Sequence, residues 1–271
     1  MSVAREPLDE LWVCHMGVVP YTDGLAVQET LRARRQAGEL PDVLLLLEHP
    51  PTYTRGRRSG AQDLPFGEGF YRAKGIDVVD TDRGGRVTYH GPGQLVGYPI
   101  MAIDDVGCYL RTMEDAIVAA LAEVGVGARS RHDEGIDYTG VWVGERKIAS
   151  IGVHVSRGIA THGFAVNIDN DLEPFSWVIA CGLPDVHMTS LAGESSSGEC
   201  ESLSCFRRRM ANAFCQAHGR RQRLVSPWRL GLDSANPSRL AERVPINTDQ
   251  PAPVDLSASV EAARALQGVL A

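Results

Sequence analysis

No apolar run in this 271-residue chain approaches the roughly 18 residues that a membrane-spanning helix needs. The longest notable one is VLLLLEHPP, at 43–51. The opening residues, MSVAREPLDELW, carry Arg5, Glu6, Asp9 and Glu10 where a secretory signal would have an apolar core. A cytoplasmic protein with no membrane association is therefore expected. Cysteine is sparse, and the six residues (14, 108, 181, 200, 205 and 215) include no CxxC pair. In a chain this long such spacing does not read as a disulfide framework, and mostly free thiols in a reducing compartment fit better. There is also no excess of positive charge. Lys and Arg number 27 against 34 Asp and Glu, a formal net charge of −7, which argues against general nucleic-acid binding. Neither a phosphate-binding P-loop nor a dinucleotide GxGxxG is present.

A hydrophobic content of 44% and a charged content of 23% are those of a globular protein with ample core. LWVCHMGV at 11–18 suits a strand, and 21–38 suits a helix ending at Gly38. Residues 43–50 are short and uniformly apolar, which favours a buried strand. The segment 76–100 reads as three strands separated by two glycine-rich turns. Leu110, Met113, Ile117, Leu121 and Val124 recur at helical spacing, as do Leu203, Phe206, Met210, Phe214 and Ala217, so helices are expected over 107–124 and 202–218. Between them, 135–168 alternates as three antiparallel strands. Hairpins outnumber βαβ units, so the expected fold is α/β in the α+β sense, with a mixed, largely antiparallel sheet flanked by helices. After Pro227 the composition shifts to Pro, Ser, Asn and Asp. This divides the chain into a main domain, 1–226, and an extended arm with a short amphipathic helix, 227–271.

Three segments carry chemistry-bearing residues. In RGGRVTYHGPGQLVGYP, at 83–99, glycines allow close backbone approach to a ligand, and Arg83, Arg86 and His90 stand around them. Two tight hairpin turns with surface arginines would use the same pattern. In GERKIASIGVHV, Lys147 re-enters a strand beside Ala149, Ser150 and Gly152, where a lysine is ordinarily a solvated strand start. In WVIACGLPDVHM, Cys181 fits a small buried hydrophobe or a nucleophile. With His187 it supplies only two of the three or more ligands that zinc requires.

In this order, LLLLEHPPTYTRGRR, RGGRVTYHGPGQLVGYP, KIASIGVHVSRGIATHGFAVNI and DLEPF…ACG resemble the octanoyl-acyl-carrier-protein:protein octanoyltransferases, over about residues 11–218. The resemblance implies the fold of biotin- and lipoate-protein ligases, with no cofactor and no metal. It implies Cys181 as the acyl-thioester cysteine and Lys147 as the lysine that lowers its thiol pKa. It implies acyl-substrate contacts at Arg83, Gly84, Gly85, Arg86, Val87, Thr88, Tyr89 and His90, at Ser150, Ile151 and Gly152, and at Gly163, Phe164 and Ala165. The implied partners are octanoyl-acyl carrier protein as donor, and as acceptors the lipoyl domains of 2-oxoacid dehydrogenase complexes and the glycine cleavage H protein. The chain departs from the pattern at Ala180, where a proline usually precedes the Cys-Gly.

That chemistry suits these residue types. A thiol with a pKa near 8.5 is only a few per cent ionised at neutral pH, and a nearby ammonium favours the thiolate. Exchange of one thioester for another is close to neutral in energy, and the following step to an amide is downhill. Two other readings remain open at this point: an ATP-dependent lipoate or biotin ligase on the same fold, and a non-catalytic acyl-carrier-binding protein. Because carrier proteins and lipoyl domains are typically acidic, a chain of net charge −7 needs a local basic rim, for which RGRR at 55–58 with Arg83 and Arg86 is the first candidate.

Overall fold

The computed structural model describes residues 10–179, 186–195 and 201–232. The chain begins with β1 (Glu10–Val18), α1 (Tyr21–Gln36) and β2 (Val43–Glu48). A small unit follows: β3 (Thr52–Arg55), α2 (Gly67–Ala73), β4 (Asp77–Asp80) and β5 (Thr88–His90). Then come β6 (Gln94–Ala102), α3 (Val106–Ala122), β7 (Arg129–Ser130), β8 (Gly140–Val143), β9 (Arg146–Ser156) and β10 (Ile159–Asn167). The last elements are β11 (His187–Met188), α4 (Leu191–Glu194), α5 (Leu203–Ala217) and β12 (Arg221–Leu224).

Among the described residues, nine strands form the main sheet in the order β12-β1-β2-β6-β10-β9-β8-β7, with β11 added beside β9, and a second sheet runs β4-β3-β5. The pairs from β2 through β6, β10, β9 and β8 to β7 are antiparallel, whereas β1 pairs in parallel with both β2 and β12. The sheet is therefore mixed and largely antiparallel, as expected. No helix among the described residues is long and apolar enough to cross a membrane.

The uniformly apolar β2 is explained by burial on both faces. Leu44 and Leu46 join a core with α3 and α5, while Val43, Leu45 and Leu47 face the opposite core beneath α1. Both long helices start at side-chain caps: Asp105 accepts from the Cys108 N–H, and Ser202 from the Cys205 N–H. On α3 the expected stripe is buried at Met113, Ile117 and Leu121, but Leu110 is turned toward a cavity.

Six elements escape the sequence reading: β3, α2, β7, β11, α4 and β12. All are short, and β3 (TYTR) has no apolar alternation. Past residue 226 the chain continues into the body rather than away from it. Pro227–Leu230 form a 3-10 turn, Leu230 is fully buried, and its carbonyl accepts from the Arg34 guanidinium. The remainder of the expected arm, 233–271, with its helix, lies outside the described residues.

Candidate active site

A cavity of about 380 Å³ opens on the α1 side of the main sheet. Its sheet wall is lined by small residues, Ser150 and Gly152 on β9 and Gly163 and Ala165 on β10. The facing wall is the segment Arg83–Arg86, which is stitched down on two sides. The Gly84 N–H donates to the Val153 carbonyl at 2.9 Å, and the Arg57 and Arg58 N–H groups donate to the Arg83 and Gly85 carbonyls at 3.0 Å. Glycine at 152 is required by this approach, because a Cβ there would lie 2.8 Å from the Gly84 carbonyl oxygen.

Lys147 reaches the cavity through a β-bulge. Gly140 pairs with Ser150 and Val141 with Ala149, but Trp142 pairs with Lys147, so Ile148 is an extra residue on β9. In a regular strand, residues 147 and 150 would point to opposite faces. The bulge sends Ile148 and Ala149 together into the α3/α5 core and places Lys147 on the cavity side. Lys147 is 1% exposed, with its Nζ 5.2 Å from the centre of the Trp142 ring. It is not the solvated strand start that its position after a turn suggested.

Tyr21, His90, Tyr98 and His162 bring buried polar groups to the lining. Gln94 Nε2 donates to the Tyr89 carbonyl and Asn167 Oδ1, so Gln94 Oε1 must accept from His90 Nδ1–H at 2.7 Å. That fixes the tautomer with Nε2 bare. Burial, followed by the neighbouring His49, pushes the His90 pKa well below its ordinary value, so the ring is neutral. His49 is pushed down to about 4 by burial; it donates from Nδ1 to the Val19 carbonyl and accepts at Nε2 from the Tyr98 hydroxyl, both at 2.6 Å.

His162 sits at φ +56 where the β10–β6 pairing lapses between Ala160 and Phe164, and its N–H donates to Gln28 Oε1 at 2.6 Å. Its Nε2 lies 2.7 Å from Asp82. The hydrogen bond from His162 holds the Asp82 carboxyl down to about 2.

Twelve of the fourteen residues marked as acyl contacts line this cavity, together with Lys147. Val87 and Tyr89 do not. They alternate onto the other face of the β5 segment and pack with Tyr53, Tyr71 and Phe175 in a separate core. Arg83 lines the cavity, but its guanidinium donates to Thr54 Oγ1, the Thr54 carbonyl and the Gly84 carbonyl, which pins the glycine-rich segment. Ala180 and Cys181 lie outside the described residues. The chain enters that gap from Ile179, whose N–H is held by the Asp63 carbonyl. It returns with Met188 paired to Lys147 and the Thr189 N–H on the Lys147 carbonyl at 2.9 Å. His187 is exposed on β11.

The sequence reading missed several lining residues: Tyr21, Val96, Tyr98 and His162 within, and Val106, Leu110 and Ile136 at the rim. Tyr98 and His162 lie inside the quoted motifs and could have been drawn from them. Tyr21 and Ile136 have no local signal, since only the fold brings them to the site.

The basic rim is largely neutralised. Arg55 pairs with Asp80 and Glu68, Arg58 with Asp137 and Arg86 with Asp63, while exposed Arg57 has no ion-pair partner among the described residues.

The mixed sheet and its flanking helices form the fold of the lipoate-protein ligases. Lipoate-protein ligase A bound with ATP superposes with a TM-score of 0.68 at 18% identity, over 85% of this chain and 92% of that one. The bi-partite lipoate protein ligase of Thermoplasma acidophilum gives 0.62 at 17% identity, over 85% and 99%. At sequence level the family model for the lipoyl protein ligase A/B catalytic domain matches residues 20–214, and the chain belongs to that family. Among its relatives are the octanoyltransferase of Solibacter usitatus, 46% identical over 68% of this chain and 84% of the relative, and that of Acidothermus cellulolyticus, 48% identical over 66% and 80%.

Proposed function

We propose that this protein transfers an octanoyl group from octanoyl-acyl carrier protein to the ε-amine of a lipoyl-domain lysine through a thioester on Cys181. The observation that carries the reading is Lys147, a buried amine bulged onto the wall of a cavity built from small residues. The octanoyltransferase names of relatives near 45% identity support the acyl group and the reaction type.

In the first step the Cys181 thiolate attacks the donor carbonyl; the new S–C bond forms as the carrier's S–C bond breaks, and the carrier thiolate takes up a proton. In the second, the acceptor amine, having lost a proton, attacks the Cys181 thioester, and the cysteine sulfur leaves. Acylation of an ammonium at neutral pH releases one proton overall. Lys147 stabilises the thiolate and accepts a proton from the amine. The anchoring of residues 179 and 186–189 beside Asp63 and Lys147 supports this pairing, since it ties both ends of the cysteine-bearing segment near the cavity. The acyltransferase unit in this reading is the domain expected over 1–226 together with the Pro227–Leu230 turn packed on it, acting in the cytoplasm, and the acceptors are lipoyl domains of 2-oxoacid dehydrogenase complexes and the H protein.

Intact mass measurement after mixing with octanoyl-acyl carrier protein tests the proposal. An octanoyl adduct mapped to Cys181, discharged by a lipoyl domain without ATP, is expected. A transfer that consumes ATP and gives no adduct would make the chain a ligase instead.

A further inference from the structure

Three features of the fold bear on the path of the Lys147 side chain. The first is the Ile148 bulge. The second is Gly140, the β8 residue opposite Ser150, which holds φ +133. A Cβ at this position would lie 2.4 Å from the Ala149 carbonyl oxygen and 2.7 Å from Lys147 Cε, so the lysine stem passes over a bare Cα. The third is Glu114, a carboxylate on α3 that is only 1% exposed. It accepts from the Gly140 N–H at 2.8 Å and from Ser130 Oγ at 2.6 Å, and His132 Nδ1 stands 3.9 Å away.

A buried carboxylate is costly unless its lone pairs are used, and a strained glycine persists only where its surroundings over-determine it. The proposed reaction leaves both unexplained. Their common product is a fixed path for one side chain.

We propose that Glu114 and Gly140 are positioning residues for Lys147. The carboxylate pins the Gly140 N–H, holding the turn into β8 in its left-handed conformation. The missing Cβ leaves the channel through which the lysine crosses to the cavity. Glu114 acts here as a hydrogen-bond acceptor through the backbone, and neither residue touches substrate. The inference rests on the reading of Lys147 as the partner of Cys181.

The test follows alkylation of Cys181 by iodoacetamide, mapped by peptide mass, from about pH 6 to pH 9, alongside octanoyl transfer by the full chain. Lys147→Ala is the control. Glu114→Ala and Gly140→Ala are expected to shift the alkylation profile to higher pH as the control does, and to lower kcat about 100-fold with KM for the carrier nearly unchanged. Glu114→Gln retains an acceptor oxygen for the Gly140 N–H, so its profile should follow the parent. Parent-like behaviour of Glu114→Ala and Gly140→Ala, with a shifted Lys147→Ala, would overturn the positioning role alone. So would a Glu114→Gln variant as impaired as Glu114→Ala, because charge rather than the hydrogen bond would then be at work. An unshifted Lys147→Ala would remove the Cys181–Lys147 reading first. Should one of the two disruptive variants not fold, the other decides.

Discussion

Lys147 and Ser150 face the same cavity although they stand three positions apart along one strand, which regular alternation would put on opposite faces. The bulge that allows this also packs the lysine tightly, between the Trp142 ring and the Gly140 backbone. A guanidinium is longer and planar and does not fit that space. Lys147→Arg is expected to lose about 1–3 kcal/mol in denaturant unfolding through overpacking, and to lose most transfer activity despite keeping its charge. Near-parent turnover would show that a positive charge alone suffices.

The two glycines on the cavity's sheet wall, Gly152 and Gly163, separate binding from folding. At Gly163 a Cβ would meet the Gly97 carbonyl oxygen at 2.2 Å and Pro99 Cδ at 2.5 Å, both fixed in the sheet. At Gly152 the obstacle is a single backbone atom farther off, the Gly84 carbonyl oxygen at 2.8 Å, on the hydrogen-bonded segment that faces the sheet. Gly163→Ala should lower the unfolding free energy by more than about 2 kcal/mol. Gly152→Ala should cost less stability than Gly163→Ala and lower kcat/KM for the acyl donor roughly tenfold or more. Equal stability losses in the two variants would contradict this assignment.

The motifs made most of the cavity legible before the fold was known, because the glycines, Lys147 and His90 sit in contiguous segments that become its walls. What the sequence could not reveal is directional. Strand alternation turns Val87 and Tyr89 away from the cavity, and the bulge that turns Lys147 toward it depends on the register of β8 against β9. Arg83 has the look of a substrate ligand in one dimension, but Thr54, 29 residues earlier, occupies its guanidinium. The long helices and buried β2 were readable from periodicity and composition. The short polar β3 was not, since only its pairing with β4 and β5 makes it a strand.

Acid should weaken the protein through its buried imidazoles. Burial pushes His49 down from 6.5 to about 4, and His90 moves in the same direction. The unfolded chain binds protons below about pH 6.5 where the folded one does not, so this stability is complete above that pH and declines as pH falls toward 4. For His49 the loss at pH 5 is about 2 kcal/mol. Asp82, held down to about 2, keeps its contribution until far lower pH and does not interfere. Denaturant titrations at pH 7 and pH 5 should show the difference between the two pH values shrink by about 2 kcal/mol in His49→Gln, even though that variant is weaker at pH 7. An unchanged difference would mean the ring is not held neutral.

The mouth of the cavity assigns unequal roles to neighbouring arginines. Ile136 is 65% exposed beside Val106, giving an apolar lip, and Arg58 is tied across it to Asp137 at 2.9 Å. A cation already paired contributes little field to an approaching acidic partner, whereas exposed Arg57, without an ion-pair partner among the described residues, projects its full charge. Arg57→Glu should therefore reduce kcat/KM for octanoyl-acyl carrier protein about tenfold at low salt, with the difference fading as ionic strength rises. Arg58→Ala should act differently. It frees Asp137 and loosens the 58–137 connection, so its effect should persist at high salt. Steady-state rates across a salt series, with a small octanoyl thioester as the uncharged comparison, distinguish the two. If Arg57→Glu slows the small donor as much as the carrier, Arg57 shapes the cavity rather than steering the protein that feeds it.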